Sequence, residues 1–509
     1  MRGRSEEENL ELENKLRKFS RRKALSTAGK IAIGVVVAGA IAGVGGYLAG
    51  VSQVKPTETI TRTVTQTVGA GAAVTVTQTQ TVAQTITQTV TKTATVAPVT
   101  KTGVIRFCGF GGFADVIPKI PQLADLEGKI GMKAEFDVVP WPDLLSKYLL
   151  NFQQPTGIYD VITINSAWHA AACWRYLEDL TPYIEAEDYD IGRFHKLFID
   201  ELYWWSGERY KSRPGGDKLI ALGGTPFGIE FAIRKDVLER HGIPVPDHDW
   251  TLDDLEDIAR EITNPSAGIY GLGMTLYQHR AIDMTCMLAK GISGNPRWSW
   301  LTEDCRPNVD TPEFREACQI IMNWLKEGIL HPGSLELASG MDWTLYSKEV
   351  VMIDVGWIGG APGVPDALLP KTAFLTPPMG PKGRCGGFGQ HALAIPTNAK
   401  NKREAWEFIK WYNSLDVQYE LAKLQVIPSL AVLLESPTLQ EKQPWIKPIV
   451  IQALAGVEQL PKIEIALEVA NLILGTECDN YWAGRKSLDT AIKDMVDGTT
   501  RALKEAGFI

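Results

Sequence analysis

The sequence predicts an α/β fold, and three stretches carry that reading. Ile220–Thr263 runs through a short apolar segment (Phe227–Arg234), a helix opened by Arg234, Lys235 and Asp236 and stopped by Gly242, a proline-rich turn, and a second helix. Thr251 and Asp254 stand at capping-box spacing at the start of this second helix, with Leu255 and Ile258 on its apolar face. Val104–Phe107 is a short apolar strand running into a glycine cluster, Gly109-Phe110-Gly111-Gly112-Phe113. Asp160–Ile164 reads as a buried strand with Asn165-Ser166-Ala167-Trp168 at its carboxyl end, where open α/β sheets place ligands. With 509 residues, 45% of them hydrophobic, the chain has apolar material for two or three globular units.

Taken in order, residues 1–30 are polar, acidic at Glu6–Glu8 and then basic through Arg17, Lys18, Arg21, Arg22, Lys23 and Lys30. Ile31–Val54 carries no charge and is rich in Val, Ile, Ala and Gly. At ~1.5 Å per helical residue it crosses a ~30 Å hydrocarbon core, which predicts a transmembrane anchor or signal. Positive charge before the span keeps the N-terminus inside and sends everything after Lys55 out. Ser20-Arg21-Arg22-Lys23-Ala24-Leu25 looks like a twin-arginine export signal, and a plain basic flank explains it as well. No A-x-A site closes the span near Gly50, which favours a retained anchor.

Residues 55–100 change character, with Thr57, Thr59, Thr61, Thr63, Thr65 and Thr67 at every second position and the pattern resuming at Thr75 and Thr85. Period two suits a strand. A segment with no large apolar face does not offset the entropy of ordering, so a disordered stalk is the expectation, reaching as much as ~140 Å at ~3.1 Å per residue.

From Lys101 onward the chain is globular. Lys133–Val139 reads as a second strand, and Trp141–Phe152 as a helix with Leu144, Leu145, Tyr148 and Leu149 inward. Thr311-Pro312 opens a helix that runs through Leu325 and stops at Gly328, with Ala317, Ile320, Ile321, Trp324 and Leu325 on one face.

The wording of these segments resembles one family. Ile220–Thr263 is similar to the central segment of the extracellular solute-binding proteins of ABC importers, family 1, the mostly sugar-binding group. Ile233 and Arg234 replace its tyrosine and asparagine, and the order at Trp250-Thr251 is inverted. Trp174–Ile184 (WRYLEDLTPYI), Tyr346–Trp357 (YSKEVVMIDVGW), Gly386–Pro396 (GGFGQHALAIP), Asn401–Ser414, Ile427-Pro428-Ser429 and the closing helix Ser487–Leu503 follow the family's order. The resemblance implies a two-lobe, periplasmic-binding-protein-like fold of type II with a hinge. Lobe 1 is then 101–228 with 387–427, and lobe 2 is 229–386 with 428–509. An anchor, a Thr-rich stalk and a globular domain in succession resemble archaeal surface binding proteins.

The chemistry agrees by exclusion. A net charge of −8, with no long basic patch beyond the N-terminus, argues against nucleic acid. Seven cysteines lack C-x-x-C spacing, so neither a zinc nor a thioredoxin motif is indicated; Cys305 and Cys318 stand where a bridge from loop to helix would be possible. The glycine cluster matches no phosphate-binding fingerprint, there is no G-x-S-x-G elbow or H-E-x-x-H, and the seven histidines are scattered. No cofactor or metal is expected, and no catalysis. Fifteen tryptophans stand out, since a flat indole packs against the C–H face of a pyranose. Trp324, Trp406 and Trp411 fall on helix faces and read as core.

The ligand-binding candidates are Trp168 and Trp357, then Glu230, Asn165, Phe110, Phe388, Gln390, Tyr481 and Trp482. The expected partners are a carbohydrate ligand, the permease subunits of an ABC transporter, and the membrane through the N-terminal helix. A secreted glycosidase or lyase is one alternative, because paired carboxylates are invisible in a sequence. The others are a binding protein for a non-sugar solute and a surface-layer adhesin, for which the stalk alone would serve.

Overall fold

The structure, a computed structural model, describes residues 59–67, 73–81, 103–204, 218–337, 341, 343–358, 364–457 and 461–509. The segment 1–30 and the span expected at 31–54 lie outside these residues. Among the described residues no helix is long and apolar enough to cross a membrane. The chain divides into two compact units, Met1–Val99 and Thr100–Ile509.

In the first unit the expectation of a disordered stalk is corrected over part of its length. Thr59–Thr67 (β1) and Ala73–Thr81 (β2) pair antiparallel, with Thr63 opposite Thr77 and Val64 opposite Val76. Alternating Thr and Val are stiff at χ1 and favour extended backbone without a large apolar face.

The second unit contains β3 (Gly103–Gly109), β4 (Met132–Val138), β5 (Val161–Asn165), β6 (Tyr203–Trp204), β7 (Lys218–Leu219), β8 (Leu222–Arg234), β9 (Tyr270–Met274), β10 (Val351–Ile358), β11 (Thr372–Leu375) and β12 (Phe388–Ala394). β3 lies between β4 and β5, parallel to both. β12 pairs antiparallel with β5 and β8, and β9 runs parallel to β10. The order is β4-β3-β5-β12-β8-β10-β9, with β11 also on β8.

β8 joins two groups of strands. All of its residues are buried. Leu222–Gly228 pairs with β12, and Gly228–Ile233 pairs with β10 while Phe231–Arg234 pairs with β11. The changeover at Gly228 is held by Gln452, which is fully buried. Its Nε2 donates to Ile229 O (2.9 Å) and its Oε1 accepts from Gly387 N (3.1 Å), so one amide ties the two strands that pass between the groups. A third passing segment is tied in by Thr225, whose Oγ1 donates to Ile427 O at 2.9 Å.

Several local readings hold in the structure. Thr251 and Asp254 form a reciprocal capping box on the helix Leu252–Ile262. Thr311 caps Pro312–Glu327, which ends at Gly328 in the left-handed conformation. The helix expected from Trp141 is a 3₁₀ turn (Trp141–Asp143) followed by Leu144–Phe152; Leu144 and Tyr148 are buried, and Leu149 faces out. All seven cysteines are buried free thiols, so Cys305 and Cys318 are not bridged.

Candidate functional site

The parallel strands of both groups end at one interface. Phe110 follows β3, Trp141 follows β4 and Trp168-His169 follow β5, while His391 lies in β12 and Phe227 in β8. From the other side come Trp357 near the end of β10, and His279, Arg280 and Asp283 on the helix His279–Ser293 after β9. Carboxyl ends of parallel strands are where such sheets leave a crevice, because the connecting loops diverge there.

Aromatic rings meet across this interface. Trp141 stacks on His279 (5.9 Å between centroids, 17° between planes) and lies 5.0 Å from His169. Trp168 meets His279 edge-on at 5.5 Å, and Phe227 meets Trp357 edge-on at 5.4 Å. His391 lies 4.3 Å from Phe110 and 4.9 Å from Phe227. Backbone packing places His391: a Cβ at Gly224, whose φ is +104°, would stand 1.8 Å from His391 O. Only glycine allows that approach.

The interface holds neutral imidazoles rather than cations. Burial pushes His169 and His279 down to about 3, and burial, then His169 and Arg280, pushes His391 well below the ordinary histidine range. Trp141 Nε1 donates to His391 Nε2 at 3.4 Å, so Nδ1 of His391 carries the ring proton, and it has no hydrogen-bond partner in the structure. Trp357 Nε1 donates to Asp283 Oδ2 (2.7 Å), which also pairs with Arg280 (3.4 Å). Arg280 lies over the Trp357 ring, 5.8 Å from its centroid.

Behind these rings is a buried polar layer. Glu201, fully buried, accepts from Ser166 Oγ (3.0 Å) and Gln390 Nε2 (3.3 Å), and pairs with buried Lys462 at 3.7 Å. Arg175 pairs with Glu464 two residues further on. Among the described residues, no group of three His, Cys, Asp or Glu side chains is arranged to hold a metal ion.

Of the residues singled out in the sequence, Trp168, Trp357 and Phe110 come together at this interface. Asn165 and Gln390 lie one layer behind. Asn165 Oδ1 accepts from Ala167 N and Trp168 N (3.0 and 2.8 Å), which orients the indole, and Gln390 Nε2 donates to Phe198 O (2.6 Å). Phe388 stacks on Phe198 at 5.3 Å, away from the rings. Glu230 stands three residues from Phe227 on one strand, hence on the opposite face. There its carboxyl is fully buried without a hydrogen-bond partner, and burial raises it well above the carboxylate range. Tyr481 and Trp482 are bound into the helical core, the phenol donating to Gln319 Oε1 (2.9 Å) and the indole to Cys318 O (3.0 Å).

Trp141, His169, Phe227, His279, Arg280, Asp283 and His391 are additional members of the interface. Trp141 had a legible signal, since it follows the second strand of a parallel set just as Trp168 follows the third.

The same architecture recurs in solved structures. An ABC transporter solute-binding protein from Agrobacterium radiobacter K84 in complex with ribitol superposes with a TM-score of 0.67 at 21% identity, over 79% of this chain and 99% of that one. Maltose-bound MalE3 of T. maritima gives 0.66 at 19% identity, over 79% and 100%. An ABC transporter solute-binding protein of Agrobacterium vitis S4 with bound D-mannitol gives 0.65 at 20% identity, over 80% and 99%. The fold is therefore the two-lobe α/β fold of these proteins. Residues 122–444, more than half of the sequence, match the family model described as bacterial extracellular solute-binding protein, and the chain belongs to that family.

Proposed function

We propose that this protein is the solute-capturing component of an ABC importer and that its solute is a carbohydrate or polyol. The observation that carries the reading is the meeting of indole faces with neutral hydrogen-bonding rings at the carboxyl ends of the parallel strands of both groups. Trp141, Trp168 and Trp357 offer apolar faces for C–H groups, and His169, His279 and His391 offer uncharged donors and acceptors for hydroxyls. The solved relatives named above bind ribitol, maltose and D-mannitol, which supports this class of solute. Binding proceeds without turnover.

The lobes are assigned as 101–228 with 387–427 and 229–386 with 428–509, hinged where β8 changes partners. Solute touching both lobes favours the closed arrangement, which the permease then reads. Residues 1–30 are assigned to the inside, 31–54 to a single-pass anchor and 55–100 to a tether that holds the binding unit outside the cell at high effective concentration.

A thermal-shift screen of neutral sugars and polyols tests the ligand class. Saturating solute raises stability by RT ln(1 + [L]/Kd), ~2.7 kcal/mol at one hundred times Kd. A panel that shifts nothing sinks the carbohydrate reading. Protease added to intact cells should release a soluble fragment starting in the Thr-rich segment; protection until the membrane is opened sinks the outside assignment.

A further inference from the structure

We propose that Asn471 is a positioning residue of the solute site. It fixes His279 as the neutral Nδ1–H tautomer, so that Nε2 is an acceptor and the ring selects solutes presenting hydroxyl groups over those presenting carboxylates. The proposal rests on the placement of solute binding between the two lobes.

Ala470–Leu474 is a π-helical turn between the α-helical segments Ala466–Val469 and Gly475–Trp482. Such a turn carries an extra residue and turns side chains out of the α register, and these turns recur at functional sites. Here it brings Asn471 to the start of the helix His279–Ser293. Asn471 Oδ1 is 3.1 Å from the backbone N of His279 and 2.9 Å from its Nδ1. The backbone N–H donates only, so the atom that receives it is the amide oxygen and not the amide nitrogen. That oxygen accepts from Nδ1 as well, which puts the ring proton on Nδ1.

The two segments are locked together. A Cβ on Gly475 would lie 2.3 Å from Gln278 O, and Gln278 itself is held at φ +56°, an unusual conformation for a residue other than glycine. Every one of these contacts is made within a single lobe, so the tautomer is set before closure. The His279 ring then meets Trp141 and Trp168 from the other lobe.

Among the described residues, charged and titratable groups around it include Arg280 and Asp283 on its own helix, His169 on the helix Trp168–Cys173, and His391 behind Trp141. Arg280 and His169 both oppose a proton on His279. Asp283, the one acid among them, is engaged by Trp357 and Arg280.

The test is a long-range proton–nitrogen spectrum of the uniformly ¹⁵N-labelled full chain from pH 5 to 9, with no solute added, on wild type, Asn471→Asp and Asn471→Leu. Wild type should show His279 as the Nδ1–H tautomer. Asn471→Asp should keep that tautomer while its carboxylate raises the His279 pKa by about 1–3 units. Asn471→Leu should lose the tautomer in favour of Nε2–H. A wild-type spectrum with the proton on Nε2, or an Asn471→Leu spectrum unchanged from wild type, overturns the proposal, and the wild-type result stands even if a variant fails to fold. Maltose affinity supplies the second readout, with Asn471→Asp preserving binding at pH 8 and moving the pH of half-loss upward. An unmoved pH of half-loss also counts against the proposal. A wild-type chain that shows Nδ1–H yet binds none of maltose, ribitol and mannitol supports the tautomer and overturns the carbohydrate reading.

Discussion

Truncating Trp168 and truncating Trp324 should damage different quantities. Trp324 is fully buried, and its Nε1 donates to Glu256 Oε1 at 2.9 Å. Trp324→Ala removes that packing in every state of the protein, at about 3–5 kcal/mol. The unit Thr100–Ile509 spans 410 residues, counting 509 − 99. Its unfolding entropy near the transition is about 0.9 kcal/mol/K at ~2.1 cal/mol/K per residue, so the melting temperature should fall by about 3–6 °C if it unfolds as one unit. Trp168 is only 4% exposed, and part of its cover is His279, which the proposed assignment puts in the other lobe. Trp168→Ala therefore removes contacts made on closing, and solute affinity should drop by about 1–3 kcal/mol, roughly 5- to 150-fold, with little change in the unliganded melting temperature. Trp357→Ala should behave similarly with an added loss of stability, because Asp283 loses its indole donor within the same lobe. Calorimetric affinity for a sugar found by the screen, and melting temperature without it, decide the matter. If Trp168→Ala and Trp357→Ala melt as early as Trp324→Ala and bind normally, both are packing residues and the solute sits elsewhere.

Three further outcomes follow from buried charge. Lys462→Met should leave Glu201 buried with Ser166 and Gln390, at ~3 kcal/mol, the lower end for a broken buried pair given its 3.7 Å spacing. The proposed assignment puts Lys462 and Glu201 in opposite lobes, where the cost falls on closure, so affinity should drop about 100-fold and Glu201→Gln should restore much of it; a change below threefold would falsify the cross-lobe role. His169 and His279 sit at about 3 in the folded protein against 6.5 in the open chain, so the unfolded state binds more protons between those values. Stability is then full above pH 6.5 and falls on acidification by about 1.4 kcal/mol per pH unit per histidine, and urea unfolding that is flat from pH 7 to 5 would contradict the burial. Glu230 has the opposite sign: its folded value is raised, so its contribution is full below about 4.5 and lost as pH rises. Glu230→Gln should be more stable than wild type at pH 7, and equal stability of the two proteins there would rule this out.

How much was legible depended on whether a feature is local. Strand ends are local: Asn165-Ser166-Ala167-Trp168 followed an apolar run, and the rule for parallel sheets took it to the interface. Trp141 obeys the same rule, but it also opens a good helical pattern, and the helix reading absorbed it. The parity of β8 is local too. Residues three apart on a strand face opposite sides, which is why Glu230 lies away from the rings and Phe227 among them. Tyr481 and Trp482 were illegible for another reason. An indole N–H and a phenol O–H need partners whether they face a sugar or a core, and here Gln319 and the Cys318 carbonyl supply them. His169, His279 and His391 come from three distant segments, and only the strand order brings them together.

The strand order also explains why the hinge and the site should respond together. Phe227 points to the rings, Gly228 is where β8 changes partners, and Ile229 O accepts from Gln452. These are consecutive residues of one strand, and a strand cannot twist at the middle residue without re-aiming both neighbours. A Cβ at Gly228 would already meet Gln452 Nε2 at 2.8 Å and Ile449 Cδ1 at 3.0 Å, so even Gly228→Ala must displace the amide that ties Ile229 to Gly387. A rotation of the two groups of strands about Gly228 would thus reach the Phe227–Trp357 contact through three residues of backbone. Gly228→Ala should therefore change solute affinity and the open–closed balance together, read by calorimetry and small-angle scattering. A variant whose scattering changes while its affinity does not would break that link.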